Sequence, residues 1–404
     1  MHSANAATDP KQGSKRELKD FLHTWLVPEA LIPTDSISDQ KSHLEKRCRN
    51  PETLYTTCDW IFETTEYLRF VEPSVASMLR INGSPGNGKS VLSSAIIDRL
   101  QVNQASFVLY FYGHQDPEPT TSMTLVRVLL AQTLQWETAE IVTELGKFYS
   151  NHHIIKENDS KIEEELWHIL RLALASESRK VFIVVDALDE FANQRICVRF
   201  LIKIITRLAA TTKPSLLISS RLEGRDAFDN KGIQTALTKA QVRSLQLEIN
   251  QERTGQDLKQ FISHRVTSHP SFEFKSDEIR DKIISGVCER ANGMFLWASL
   301  VLDDLKDDKI SSPSAIDNTL AKLPKGLFNI YKQNLEIPRR SIKGPEVFSW
   351  IFCSNPALSW HELKSALAIG NLDMMRPSWL MTPVRFLYTT HVDRWLNLTV
   401  PRNA

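Results

Sequence analysis

The chain has 404 residues, 42% of them hydrophobic, which suits two or three domains with cores of their own and excludes disorder as the main state. Its 49 basic and 48 acidic residues leave a formal charge of +1, so no whole-chain field draws it to nucleic acid or to an anionic membrane. Five scattered cysteines (Cys48, Cys58, Cys197, Cys288, Cys353) form no C-x-x-C pair, which argues against a disulfide framework and against zinc or redox chemistry. With no secretory leader in the first residues and no apolar stretch of about 20 residues, the expectation is a cytoplasmic protein without a membrane span.

After a polar start, Leu18, Phe21, Leu22, Trp25 and Leu26 recur at helical spacing and predict a packing helix that ends before Pro28. A second helical stretch is predicted from Thr57 to Phe70, leading into the apolar run Met78, Leu79, Ile81. That run is followed by Gly83-Ser84-Pro85-Gly86-Asn87-Gly88-Lys89-Ser90, a full match to the phosphate-loop pattern G-x-x-x-x-G-K-[ST], and then by a helix-like segment from Val91. Glycines at Gly83, Gly86 and Gly88 let the backbone form a concave nest of N–H groups, to which the following helix adds the positive end of its dipole. Lys89 is then placed to reach β- and γ-phosphates, and Ser90 to offer its hydroxyl to Mg²⁺. The competing reading is a glycine-rich turn that matches by accident; the strand before and helix after it decide against that.

Strand-like and helix-like segments alternate from there: a β-rich run at 106–112, helical periodicity over 125–134 and 162–174, and a continuous apolar strand at Val181–Val185. A helix around Val198 to Leu208 and strands at Leu216–Ile218 and Ser244–Glu248 complete the pattern. Beyond Gln251 the periodicity is helical only, around Leu258, over Ile279–Val287 and over Met294–Leu305. The fold class read from this is α/β, a P-loop NTPase parallel sheet with flanking helices, followed by an all-α region.

The run Val181–Val185 has no polar alternation, as expected of a central parallel strand, and it ends in Asp186-Ala187-Leu188-Asp189-Glu190. Ligands of open α/β sheets bind outside the carboxyl ends of the strands, so this cluster is expected beside the phosphate loop. Asp186 is the candidate acidic partner of Ser90 in holding Mg²⁺, Glu190 the candidate for polarising an attacking water, and Asp189 a support for the metal shell or the loop. The bland alternative is an acidic helix start, which the helix dipole also favours. A further strand end, Ser219-Ser220-Arg221, aims Arg221 at the same edge, where a guanidinium can detect a γ-phosphate; a lone solvated arginine is the competing reading.

These residues resemble the NACHT-domain proteins of the signal-transducing ATPase (STAND) class, in the form common in filamentous fungi. The resemblance rests on Thr57-Cys58-Asp59-Trp60-Ile61, the phosphate loop, Asp186 to Glu190, Ser219-Ser220-Arg221 and Asn292-Gly293-Met294-Phe295-Leu296-Trp297-Ala298. It continues through Leu323-Pro324, Leu327, Tyr331, Trp350-Ile351, Pro356, Leu358, Glu362-Leu363 and Ala366-Leu367-Ala368. It implies a tail and packing helix at 1–56, a NACHT-type domain at 57–250, a helical lid at 251–335 and a partial winged-helix-like segment with an atypical tail at 336–404. It also implies ATP or ADP with Mg²⁺ as ligands, GTP being left open, and a signalling role of the NLR-like type in fungal innate immunity. Exchange of diphosphate for triphosphate is then expected to open the molecule and permit homo-oligomers, with further protein partners unidentified and no nucleic acid among them.

No effector module is legible before Leu18 and no repeat sensor after Gly370, so the alternative is a truncated nucleotide-binding remnant that acts only as a binding or interaction module. A metabolic kinase would need an acceptor-substrate module and a nucleic-acid motor would need basic or aromatic strand-tracking surfaces. Neither is visible in the sequence.

Overall fold

The computed structural model describes residues 10–27, residues 57–332 with short breaks, and Glu362, and the structural statements below concern those residues. The expected winged-helix-like segment and tail therefore lie outside the described residues, Glu362 excepted.

Five strands form one all-parallel sheet: β1 (Ser77–Asn82), β2 (Ser106–Tyr112), β3 (Lys180–Asp186), β4 (Ser215–Ser220) and β5 (Arg243–Glu248), in the spatial order β2-β3-β4-β1-β5. Alternate residues of β3 divide between two cores, with Val181, Ile183 and Val185 in one and Phe182 and Val184 in the other. A strand buried on both faces has no reason to alternate with polar residues, which is why β3 reads as an unbroken apolar run.

The helices that cover these faces are α1 (Pro10–Leu26), α2 (Thr65–Phe70), α3 (Lys89–Gln101), α4 (Ser122–Thr133), α5 (Ala139–Asn151), α6 (Ser160–Ser176), α7 (Gln194–Arg207) and α8 (Lys231–Lys239). One core joins α4 through α7 to the sheet and includes the stacked rings of Trp167 and Phe200, 5.1 Å apart. The other joins Leu92, Ile96 and Ile97 of α3 to Ile61, Tyr67 and Phe70 ahead of β1. Helix α1 is fixed to the first core by a buried cation: Arg127 of α4 donates from Nε to the Leu26 carbonyl at 2.7 Å, satisfying a helix end that has no partner of its own.

The single helix expected over Thr57 to Phe70 is two pieces, a 3₁₀ turn at Asp59–Glu63 and then α2. Thr64 between them is extended, and its side chain accepts from the Tyr67 N–H, an N-cap that starts a new helix. The turn itself is anchored from afar, since the Cys58 N–H donates to Asp257 Oδ2 at 2.7 Å with Cys58 at a φ of 72°.

After β5 come α9 (Gln251–Ser268), the short α10 (Pro270–Glu273), α11 (Asp277–Ala291), α12 (Phe295–Asp307) and α13 (Pro313–Ala321). By packing the chain divides into two units. One holds the sheet and continues to His264, taking in Asn292–Phe295 as well; the other includes, among the described residues, Arg265–Ala291 and the helical residues from Leu296 onward. Within the second unit α11 meets α13 at Gly286, where a Cβ would come within 2.5 Å of Leu320 Cδ1. Only the missing side chain lets the two helices approach so closely.

Candidate functional site

The sheet unit brings together the ends of β1, β3 and β4. The loop after β1 turns through Gly86 and Gly88 at φ of 79° and 83°, conformations that L-residues with a Cβ rarely adopt, and Gly88 caps the N-terminus of α3. Gly83 serves differently, because a Cβ there would lie 3.2 Å from that of Ile249, just beyond β5. Asn87 is buried, with its Nδ2 3.5 Å from the Ile249 carbonyl, so the loop is pinned from the β5 side as well.

Lys89 folds across this loop and donates to the carbonyls of Gly83 at 2.8 Å and Ser84 at 3.0 Å. Burial lowers its pKa, an effect opposed by Asp189, Asp186 and Glu190 and reinforced by Arg221. Lys89, the three acids and Arg221 therefore share one electrostatic neighbourhood. Ser90, next in the chain, lies in the first turn of α3.

Asp186 ends β3 and is only 2% exposed. Its Oδ1 accepts hydrogen bonds from Ser93 Oγ at 2.7 Å and from Ser219 Oγ at 2.5 Å. The chain then turns sharply: Ala187 takes a φ of 54° and a 3₁₀ turn at Leu188–Glu190 follows. The bend needs room just beyond the neighbouring strand β2, and Gly113 provides it, since a Cβ there would stand 2.7 Å from the Ala187 carbonyl.

Arg221 follows β4, the strand between β1 and β3, and this position sets it between the phosphate loop and the acids. Its Nε lies 2.9 Å from Asp189 Oδ2, its backbone N–H donates to Asp189 Oδ1 at 3.2 Å, and one terminal nitrogen lies 3.5 Å from Glu190 Oε1. The side chains of Arg221 and Asp189 are 11% and 10% exposed, so screening by water is weak here. Burial, with Asp189 next, lifts the Glu190 pKa to about 7 against the opposing pull of Arg221.

The sequence-predicted residues thus converge, with a difference in partnership. Asp189 is held by Arg221, and the hydroxyls bonded to Asp186 belong to Ser93 and Ser219. Ser93 carried a signal, because it lies three residues beyond Ser90 and so on the same helix face. Ser219 stood in the strand-end motif beside Arg221, but its role needed the register of β3 against β4.

The site suits a phosphate ligand. Backbone turns at positive φ, a half-buried ammonium and the start of α3 are arranged around one loop. Among the described residues no group of three or more His, Cys, Asp and Glu is placed to hold a metal alone. Magnesium in nucleotide sites takes one or two protein oxygens and completes its shell with phosphates and water, so Ser90 and Asp186 fit that ion. No helix among the described residues is long and apolar enough to cross a membrane.

Residues 56–221 match the family described as Nephrocystin 3, N-terminal. The chain is 26% identical over 283 residues to the vegetative incompatibility protein HET-E-1 of Podospora anserina, an alignment that covers 69% of this chain and 20% of that protein. The chain thus spans about a fifth of the length of that relative. Similar solved structures include Cdc6p of Pyrobaculum aerophilum, at 12% identity, 89% coverage of each chain and a TM-score of 0.33. Another is the ORC2 protein of Aeropyrum pernix, at 10% identity, 91% and 89% coverage and a TM-score of 0.37. Structural likeness at this level carries no argument about this chain, whose sheet order and loop speak for themselves. The family match covers residues 56–221, which hold the loop and four of the five strands, so over that stretch the chain is similar to this family, and its own loop and sheet are those of a P-loop unit suited to nucleotide.

Proposed function

We propose that the chain is a nucleotide-dependent signalling switch that binds ATP or GTP at Gly83–Ser90 and resets itself by slow hydrolysis. The observation that carries this reading is Arg221, a nearly buried cation placed between the loop and the acids and paired with Asp189 at 2.9 Å and Glu190 at 3.5 Å. A γ-phosphate competes with these carboxylates for the guanidinium, whereas a diphosphate leaves the pairs intact. A ligand shifts a conformational equilibrium only through such a differential contact.

In this reading the loop N–H groups and Lys89 bind and orient the phosphates, and Ser90 and Asp186 hold Mg²⁺, which when bound neutralises phosphate charge. Glu190, with a pKa of about 7, takes a proton from the attacking water, and its ionised fraction grows across neutral pH. The helices from Gln251 to residue 335 act as a lid that closes over diphosphate, and the triphosphate form opens and assembles with further copies of the chain. Within the sheet unit itself, Phe295 lies near the loop, since a Cβ at Gly88 would be 3.7 Å from its ring, and the Phe261 ring lies 5.7 Å from that of Phe295.

The test is to denature the purified protein and identify the nucleotide released. A stoichiometric, tightly retained diphosphate supports the switch. An empty site with millimolar affinity for both di- and triphosphate overturns it.

A further inference from the structure

We propose that Ser219 and Ser93 are positioning residues for the magnesium site: they hold one oxygen of Asp186 and so present the other to the ion's shell. The inference rests on the reading of Asp186 as a magnesium residue and goes beyond it, because it concerns two side chains outside the phosphate loop that bond to Asp186.

Three observations lead to it. Both hydroxyls converge on the same carboxylate oxygen, Oδ1, from two different elements: Ser93 from α3 at 2.7 Å and Ser219 from the neighbouring strand β4 at 2.5 Å. Among the described residues no hydrogen bond goes to Oδ2. The direction of the Ser219 bond is also fixed, since Ser219 Oγ accepts from the Ala187 N–H at 2.9 Å and its one proton is then directed to the carboxylate, which when ionised can only accept. Finally, the chain Ala187 N–H, Ser219 hydroxyl, Asp186 Oδ1 closes just where the backbone turns, Ala187 standing at a φ of 54°, a conformation disfavoured for a residue with a Cβ.

The arrangement has a chemical reason. A carboxylate on a strand end can rotate and offer either oxygen, and a magnesium shell demands near-ideal octahedral geometry. With Ser93, Ser219 and Asp186 all buried, the two hydroxyls remove that freedom before the ion arrives. Orientation of a metal-binding carboxylate by hydrogen-bonded neighbours is a general way in which a protein tunes an ion site.

The experiment titrates Mg²⁺ against full-length protein and a fluorescent ADP, following ADP affinity in excess EDTA and at increasing free Mg²⁺. Ser219→Ala should leave affinity in EDTA within twofold of the parent and raise the Mg²⁺ concentration for half-maximal tightening about tenfold. Ser219→Thr, which keeps the hydroxyl, should restore the parent value, and Ser93→Ala should act as Ser219→Ala does, more weakly because Ser219 remains. Should Ser219→Ala not fold, the Ser93→Ala titration and the spectrum of bound Mn²⁺ in that variant decide the matter. An unchanged Mg²⁺ midpoint in the folded variants overturns the positioning role while leaving the nucleotide site intact. A parent that binds no ADP with or without Mg²⁺ overturns both this inference and the switch on which it rests.

Discussion

The two ends of the same sheet carry the same kinds of side chain and use them in different ways. At the end where the strands begin, each cation serves a structural partner. Lys180 lies 3.4 Å from the Val75 carbonyl and 3.3 Å from that of Lys213, Lys213 donates to the Ala240 carbonyl at 2.6 Å, and Arg243 pairs with Glu72 at 2.6 Å. At the end where the strands finish, Lys89 and Arg221 share an enclosed region with Asp186, Asp189 and Glu190, and each shifted pKa has several charged contributors. Burial alone brings Lys180 to about 8, whereas Glu190 reaches about 7 through burial and the neighbouring acids against two cations. Charges that cap carbonyls stabilise a fold; charges that face one another in a closed space are poised to respond to an incoming one.

That contrast can be broken most sharply at Glu190. Replacing it with Gln keeps the shape and removes the base, so single-turnover hydrolysis should fall about a thousandfold with nucleotide affinity nearly unchanged. The same residue gives a pH signature. Hydrolysis in the parent should rise with pH to half its plateau near 7, where the carboxylate ionises. Stability should move the other way. Between the ordinary carboxylate value of 4.5 and about 7 the folded state holds a proton that the unfolded state has released, so stability falls as pH rises through this window, by about 3 kcal/mol. Thermal unfolding of Glu190→Gln should lack that slope, and a parallel pH dependence in parent and variant would remove Glu190 as its source.

Lys89→Ala comes next. It removes the ammonium facing the phosphates while the loop backbone remains, so affinity for di- and triphosphate should drop about a hundredfold in a calorimetric titration. Retention at the parent level would move the site elsewhere.

Arg221→Ala tests the cation between the strands more narrowly. The ratio of triphosphate to diphosphate affinity should change about tenfold, the amount one charge-assisted hydrogen bond can supply. It should also raise the pH midpoint of hydrolysis, because Glu190 loses a neighbour that lowers its pKa. A constant affinity ratio would assign Arg221 to holding Asp189 and nothing more.

The smallest effect sharpens the comparison from the opposite edge. Lys180→Met should leave nucleotide affinity within twofold, since that side chain contacts only carbonyls at the strand starts. Its signature is in stability: above about pH 8 the folded state has lost the proton that the unfolded state keeps to about 10.5, so the parent gains stability from pH 8 to 9 and the variant does not.

The elements legible in the sequence are those whose pattern is local. The apolar run of β3, the glycine loop and the strand ends at Asp186 and Arg221 could all be found without coordinates. Other elements went unread. The apolar positions Ile141, Val142, Leu145 and Phe148 of α5 do keep helical spacing, although no helix is read there from the sequence, and α8, at nine residues, is too short to show a clear period. The break at Thr64 was hidden because an N-cap in the middle of an apolar stretch changes the chain's direction without changing its composition.

The sequence by itself determined the chemistry available to this protein: a loop whose glycines permit a phosphate nest, a lysine and a serine at its end, and acids and an arginine closing two buried strands. Only the tertiary structure decided who meets whom. Insertion of β4 between β1 and β3 sets Arg221 beside Asp189 and brings Ser219 to Asp186, and the register of that strand is fixed by side chains buried on both faces of the sheet. Pairings across 32 or 33 residues depend on strand order and register, which are properties of the packed sheet as a whole and have no local trace in the chain.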